Sequence, residues 1–222
     1  MTVSEWVISV FVAYLLGSIP FGLLIAKVKG VNIREHGSKN IGATNVARVL
    51  GKPFGLLCFF LDVLKGFAPV CIIGSIAGLF GESIDSYDIK NLVFWITVAI
   101  STVLGHTYSV FLKFGGGKGV ATTLGSVLAM WPPLTIPIVA SFLCFIFFLI
   151  FYRIVSIGSI MASILLPLAT YYQLVLVEGY AVRKIWPLIL MTTLITTIVL
   201  WKHRSNISRI VKGAEPKINT HD

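Results

Sequence analysis

Charge is what this sequence has least of. Only 12% of its 222 residues are charged, about half the share usual in a soluble domain, so composition argues against a soluble globular protein. Acidic residues are scarcest, nine against eighteen Lys and Arg, leaving a formal net charge of +9. Such an excess serves nucleic-acid binding only on a solvated face, and a mean hydropathy of +0.91 leaves little such face. No nucleic-acid partner is expected. Cysteine is also sparse: Cys58, Cys71 and Cys144 lie in apolar runs without C-x-x-C or metal-ligand spacing, and they read as buried small hydrophobes. No linker, low-complexity tract or internal repeat divides the chain, so residues 1–222 read as one membrane-embedded domain. No carboxylate cluster suggests a metal, and no cofactor or obligatory protein partner is implied.

Apolar sequence is what remains, at 56% of the chain. A helix needs about 20 apolar residues to cross the hydrocarbon, and runs of that kind fall near 6–27, 54–81, 92–112, 134–152, 154–177 and 185–201. The first has no basic residue before it and is too long for a signal-peptide core, so it reads as a retained anchor. A seventh, shorter segment follows Gly119 and ends at Trp131-Pro132-Pro133, where a helix cannot continue. From Val120 to Met130 it spans only about 16 Å. The expected fold is therefore an all-α integral membrane protein with seven transmembrane helices, one of them short, and with termini on opposite sides. With the N-terminus outside, the inner loops hold Lys27, Lys29, Arg34, Lys39, Arg48, Lys52, Lys113, Lys118, Arg153 and the basic tail. The outer loops hold only Lys90, Arg183 and Lys184, beside the acidic Glu82, Asp85 and Asp88. The positive-inside rule then puts the C-terminus in the cytoplasm.

Three inner segments are too polar and too glycine-rich to be plain connectors. Gly37 to Arg48 concentrates hydroxyls, amides and one guanidinium, groups that bind phosphate, although capping Ser, Thr and Asn of a solvated loop have the same composition. Gly105-His106-Thr107-Tyr108, then Gly115-Gly116-Gly117-Lys118-Gly119, opens the short helix. Converging backbone N–H groups, a helix N-terminus and the Lys118 cation suit an anion there; a flexible turn is the alternative. The loop is not a Walker A motif, since Leu112 and Gly119 stand where that motif needs Gly and Ser or Thr. The third segment, Lys202 to Arg209, reads either as a basic tail meeting anionic lipid or as a site with His203 and Asn206 on one helix face. Within the second span, Asp62 and Lys65 sit three residues apart and read as an internal ion pair. Gly74 and Gly78 form a small-residue packing face.

Absent motifs narrow the chemistry. There is no Gly-x-Ser-x-Gly elbow. None of His36, His106, His203 and His221 has an Asp five residues on, which removes the H-x4-D signature of one phospholipid acyltransferase family. No Asp-Gly dipeptide occurs, which removes the motif of the CDP-alcohol phosphatidyltransferases. On residue types alone, an enzyme acting on phosphorylated substrates and a transporter or channel for an anionic solute both stand.

Taken together, several segments closely resemble the PlsY family of bacterial acyl-phosphate:glycerol-3-phosphate acyltransferases. They are Leu16-Gly17-Ser18-Ile19-Pro20-Phe21-Gly22, the stretch from Ser38 to Arg48, Leu61 to Gly66, Gly105 to Tyr108, Gly115 to Gly119, and the His203 tail with Glu215. The resemblance implies transfer of a fatty acyl group from acyl phosphate to the sn-1 hydroxyl of glycerol 3-phosphate, giving lysophosphatidate and phosphate, at the cytoplasmic face of the cell inner membrane. By the family's motifs, Ser38, Arg48, Lys118, His203 and Asn206 would hold glycerol phosphate and carry catalysis. Asn40, Thr44, Asn45, His106, Gly115, Gly116, Gly117, Gly119 and Ser156 would complete substrate binding, with Thr44, Asn45 and Gly115 to Gly117 cradling the acyl phosphate. Asp62, Lys65 and Glu215 would be structural. The acyl chain would lie among membrane lipid between helices. Acyl phosphate is a mixed anhydride with a good leaving group, so positioning and charge neutralisation suffice; either a substrate phosphate or His203 takes the hydroxyl proton. Lys39 departs from the pattern, since the family often has Gly there. A lysine fits badly if that position needs positive φ, and adds a phosphate-directed cation if it lines the cleft.

Overall fold

The structure is a computed structural model that describes residues 1–218; His221 lies outside them. Among the described residues the regular structure is helical, apart from one isolated bridge between Ser109 and Gly115. Six helical segments are long and apolar enough to cross a membrane: Val3–Val28, Lys52–Ile76, Ile89–Thr107, Thr135–Tyr152, Val155–Val177 and Val182–Lys202. Large apolar side chains such as Phe60, Ile150 and Phe151 are exposed on the outer surface, as a bilayer-embedded bundle requires.

Each expected span has its helix, with three differences that have local causes. The first is broken into α1 (Val3–Ser18) and α2 (Phe21–Val28) because Pro20 has no N–H to continue the ladder. The Ile19 carbonyl at the break accepts instead from Lys65 Nζ at 2.7 Å. After α3 (Ala43–Leu50), α4 (Lys52–Ile76) stops short of residue 81. Gly78 takes φ +67°, and the N–H groups of Gly78 and Leu79 bond back to Ser75 and Gly74, a Schellman termination. Gly78 thus ends the helix and meets nothing, whereas Gly74 packs on the Trp95 indole; the paired small-residue face is corrected to Gly74 alone. Helix α5 (Ile89–Thr107) ends well before residue 112. Its C-terminus is held by Lys202, whose Nζ donates to the Thr107 carbonyl at 2.5 Å and lies 3.8 Å from the Tyr108 ring centre.

Helix α6 (Val120–Leu128) has nine residues, about 14 Å of length. Turns carry the chain on to Trp131, whose carbonyl accepts from Gly81 N–H at 3.1 Å. Helices α7 (Thr135–Tyr152), α8 (Val155–Tyr171, continued as a π-helix over Tyr172–Val177) and α9 (Val182–Lys202) complete the bundle, and α10 (Arg204–Val211) turns off the end of α9. One end of the bundle is tied by the Gly81–Trp131 bond and the Lys184–Asp85 ion pair. The other gathers residues 29–51, 108–119, 153 and 203–218, with Ile218 N–H on the Arg153 carbonyl at 2.7 Å. All three polar segments therefore meet at one end.

Glycine lets the helices beneath that end approach closely. A Cβ at Gly105 would collide with the Tyr14 carbonyl of α1, and one at Gly66 with the Thr122 carbonyl of α6. Gly105→Ala should therefore lower stability by about 1–3 kcal/mol through overpacking. Thermal unfolding in detergent tests this against Leu56→Ala on the exposed face; equal melting temperatures for the two variants would contradict the close packing.

Candidate active site

A cavity of about 680 Å³ opens where the polar segments converge. Its first wall is the stretch from Gly37 to Arg48, and one side chain shapes that wall. The buried Asn45 accepts the Ser38 N–H at 2.8 Å through Oδ1 and donates through Nδ2 to the carbonyls of Asn40, His36 and Ile33, at 2.8, 3.2 and 3.4 Å. Gly42 N–H then bonds to Asn40 Oδ1 at 2.8 Å. With Asn45 consumed by the loop, Thr44 and Arg48 on α3 and Ser38 before it carry the polar groups facing the cavity.

The floor comes from α4 and α5. Asp62 and His106 line it, both buried. Asp62 Oδ1 lies 2.8 Å from Lys65 Nζ and 3.6 Å from His106 Nδ1. Lys65 turns away to Ile19 and does not reach the cavity wall. The glycine loop packs onto this floor: Gly117 N–H bonds to the His106 carbonyl at 3.1 Å, and a Cβ at Gly116 or Gly117 would strike His106. Gly115, Gly116 and Gly117 are consequently absent from the cavity wall, whereas Lys118, Gly119, Val120 and Ala121 form part of it. The N-terminus of α6, whose first amides have no intrahelical partners, therefore lies on the cavity wall, an arrangement suited to an anion. Burial pushes the Lys118 ammonium down to about 8; Glu215 opposes this, and Arg209 and Arg48 add to it.

The third wall is α10 and the strap after it. His203 is buried, with Nδ1 2.8 Å from the Val199 carbonyl. A carbonyl only accepts, so Nδ1 carries the proton and Nε2 keeps a lone pair. Burial, reinforced by Lys118, pushes His203 down to about 4; the ring is neutral near pH 7. Asn206 sits one turn on and donates to Glu215 Oε1 at 2.5 Å, while its Oδ1 is buried without a partner. Glu215 also accepts from Ser156 Oγ and Arg209 Nε, each at 2.7 Å. Burial favours its neutral form, but these donors hold the carboxyl below the usual range.

The cavity thus brings together Ser38, Asn40, Thr44, Asn45, Arg48, Asp62, His106, Lys118, Gly119, Ser156, His203, Asn206 and Glu215. Lys39 and Arg209 line it too. Arg209 follows Asn206 by three residues, so helical periodicity marks it; Phe59, Phe145 and Ser159, also on the wall, carry no sequence signal. Asp62 is paired with Lys65 and Glu215 with Arg209, so Lys39, Arg48 and Lys118 have no acidic partner among the described residues. Those residues hold no group of three or more His, Cys, Asp and Glu able to bind a metal. Below the cavity an apolar crevice of about 70 Å³ runs between α6, α7, α8 and α9, and shares Phe59, Val120, Phe145 and Ser159 with it.

A family model described as glycerol-3-phosphate acyltransferase matches residues 7–213. The glycerol-3-phosphate acyltransferase of Aquifex aeolicus is 43% identical over 206 residues, covering 93% of this chain and 95% of its own. That of Trichlorobacter lovleyi is 40% identical over 206 residues, at 92% and 93% coverage. Among solved structures, the crystal structure of PlsY, an integral membrane glycerol 3-phosphate acyltransferase, in its glycerol 3-phosphate form superposes with a TM-score of 0.81 at 42% identity, covering 97% of this chain and 96% of that one. Its lysophosphatidic acid form gives a TM-score of 0.79 at 41% identity and the same coverage.

Asn45→Ala should strand the Ser38 amide and the carbonyls it now engages, and lower stability by about 1–3 kcal/mol. A melting temperature no lower than that of the exposed Ser208→Ala would show that the loop holds its shape without this side chain.

Proposed function

The chain belongs to the glycerol-3-phosphate acyltransferase family, a family of membrane-embedded enzymes of phospholipid synthesis, and from this membership we propose how its cavity serves the reaction. The enzyme acylates glycerol 3-phosphate. Acyl phosphate is the donor, the sn-1 hydroxyl the acceptor, and lysophosphatidate and phosphate the products. The observation that carries this reading is the continuity of a cation-lined cavity with an apolar crevice, a shape that seats a phosphate in water and its acyl chain among helices.

In this proposal Ser38, Arg48, Lys118, His203 and Asn206 bind glycerol 3-phosphate, while Thr44, Asn40 and the N-terminus of α6 at Gly119 face the acyl phosphate. Asn45 on the wall and Gly115 to Gly117 behind it act by fixing the loops. Ser156 and Glu215 hold Asn206 in place, and Asp62, Lys65 and His106 form the floor. Phe59, Phe145 and Val120 lead the acyl chain into the crevice.

The acceptor hydroxyl attacks the acyl carbonyl carbon, the carbon–oxygen bond to phosphorus breaks, and the hydroxyl proton leaves with the departing group as hydrogen phosphate. A phosphate oxygen is the better base, since a phosphomonoester titrates near 6 and His203 near 4. Nε2 of His203 then orients the hydroxyl as an acceptor. Arg48 and Lys118 neutralise charge as the mixed anhydride opens.

The same reading makes residues 1–222 one domain with seven crossings, α6 with its following turns being the short one. The N-terminus lies outside, and the cavity faces the cytoplasm from the cell inner membrane. The supporting observations are the basic residues gathered at the cavity end and the contact of Trp131 with Gly81 at the other.

Purified protein given acyl phosphate and glycerol 3-phosphate should form lysophosphatidate and phosphate in equal amounts, and acyl-CoA should not replace the donor; comparable rates with acyl-CoA would overturn the donor assignment. Arg48→Ala and Lys118→Ala should each lower kcat/KM roughly 10- to 150-fold, the loss of one charge-assisted contact of about 1.5–3 kcal/mol, whereas Lys212→Ala, outside the cavity, should change little. Because Lys118 is charged below about 8 and neutral above it, kcat/KM for glycerol 3-phosphate should fall above that pH. Lys118→Arg, which keeps its charge, should move that alkaline limb upward; an unmoved limb would assign the titration to another group.

A further inference from the structure

Lys39 is the cavity residue whose backbone and side chain disagree. It sits at φ +58°, in the left-handed region where a residue with a Cβ is disfavoured and only Gly, Asn and Asp are at ease. The conformation is imposed from both flanks. The Ser38 N–H and the Asn40 carbonyl are both bonded to the Asn45 side chain, and the Lys39 N–H closes a turn onto the His36 carbonyl at 3.0 Å. Glycine would satisfy that backbone without strain, yet the chain places a lysine there, on the cavity wall. Its side chain is exposed and has no acidic partner among the described residues. Strain kept at a cavity by an over-determined loop marks a residue retained for what its side chain does.

We propose that Lys39 is a third phosphate-directed cation, which captures glycerol 3-phosphate at the mouth of the cavity. The inference rests on the acyltransferase reading and deepens it. The acyl donor is anchored through its chain on the Phe59, Phe145 and Val120 side, whereas glycerol 3-phosphate has no apolar anchor and arrives from water, where an exposed cation acts on it first. Lys39 neighbours Ser38, on the wall assigned to that substrate. Being exposed, it contributes a salt-screened attraction, felt in binding and capture rather than in the chemical step.

Kinetics of Lys39→Asn, Lys39→Gly and Lys39→Arg, with Lys113→Gly as control, test this. Lys113 is also left-handed, at φ +53°, but lies off the cavity wall. Lys39→Asn and Lys39→Gly should raise the KM for glycerol 3-phosphate about two- to fivefold at low ionic strength, the range of an exposed ion pair. The effect should fade in high salt and leave kcat and the KM for acyl phosphate unchanged. Lys39→Arg should stay near wild type, and Lys39→Gly should melt at a higher temperature as the strain is relieved. Calorimetric binding of glycerol 3-phosphate alone should weaken by the same factor. An unchanged KM and affinity in Lys39→Asn, a rise in the acyl phosphate KM instead, failure of Lys39→Arg to rescue, or an equal effect of Lys113→Gly would each overturn the proposal. Wild-type protein that binds glycerol 3-phosphate yet forms no product would strike the acyltransferase reading, and the binding ratio of Lys39→Asn to wild type would still decide the role of Lys39.

Discussion

Hydrocarbon offers no partner to a backbone N–H or carbonyl, and the architecture follows from where this chain escapes that constraint. Helix, α or π, carries each of the six apolar spans. Among the described residues, the break between α1 and α2 at Ile19-Pro20, inside an apolar segment, has its freed carbonyl taken by Lys65. A cation brought so deep needs a counter-charge, which Asp62 supplies at 2.8 Å. Asp62 in turn stands beside His106, whose carbonyl holds Gly117. The break between α1 and α2 is thereby linked through three residues, Lys65, Asp62 and His106, to the loop that presents Lys118.

The cavity follows a second balance, between charges that cancel within the protein and charges left for a ligand. Asp62 and Glu215 are answered by Lys65 and Arg209. Arg48 and Lys118 are in no ion pair among the described residues, and they line the cavity together with the neutral His203. Placing Lys118 in a half-buried wall lowers its hold on the proton, which is the thermodynamic form of a site stabilised by an incoming anion. On the proposed reading, a dianionic substrate restores that balance, held by groups whose loops are fixed beforehand by Asn45, Gly117 and Glu215.

Much of this was legible in the sequence. The apolar runs located the six long helices because the length of a span is set by bilayer thickness, whereas Trp131-Pro132-Pro133 only bounded the short segment, whose helix ends earlier, at Leu128. The Asp62–Lys65 spacing marked an ion pair, since three residues bring side chains onto one helix face. Helix ends were less legible: α5 stops at Thr107 although apolar residues continue to Leu112, and the contacts that hold the chain there come from far along it, Lys202 on the Thr107 carbonyl and Ser109 on the Ser18 carbonyl. The site was legible as types of residue and not as contacts. Asn45 and Gly115 to Gly117 have the composition of phosphate ligands, but Asn45 spends its side-chain oxygen and nitrogen on its own loop, and Gly116 and Gly117 spend their missing Cβ on His106.

By itself the sequence determined the class of solvent this protein folds in, the place of its six long apolar helices, and the polar segments available for chemistry, because hydropathy, proline and charge act locally along the chain. Only tertiary structure decided that segments around residues 45, 118, 206 and 215 share one cavity, and which of their polar atoms remain free within it. It also decided that Lys39 takes a left-handed backbone facing that cavity. Those outcomes depend on distances between parts of the chain far apart in order, and helix packing sets them.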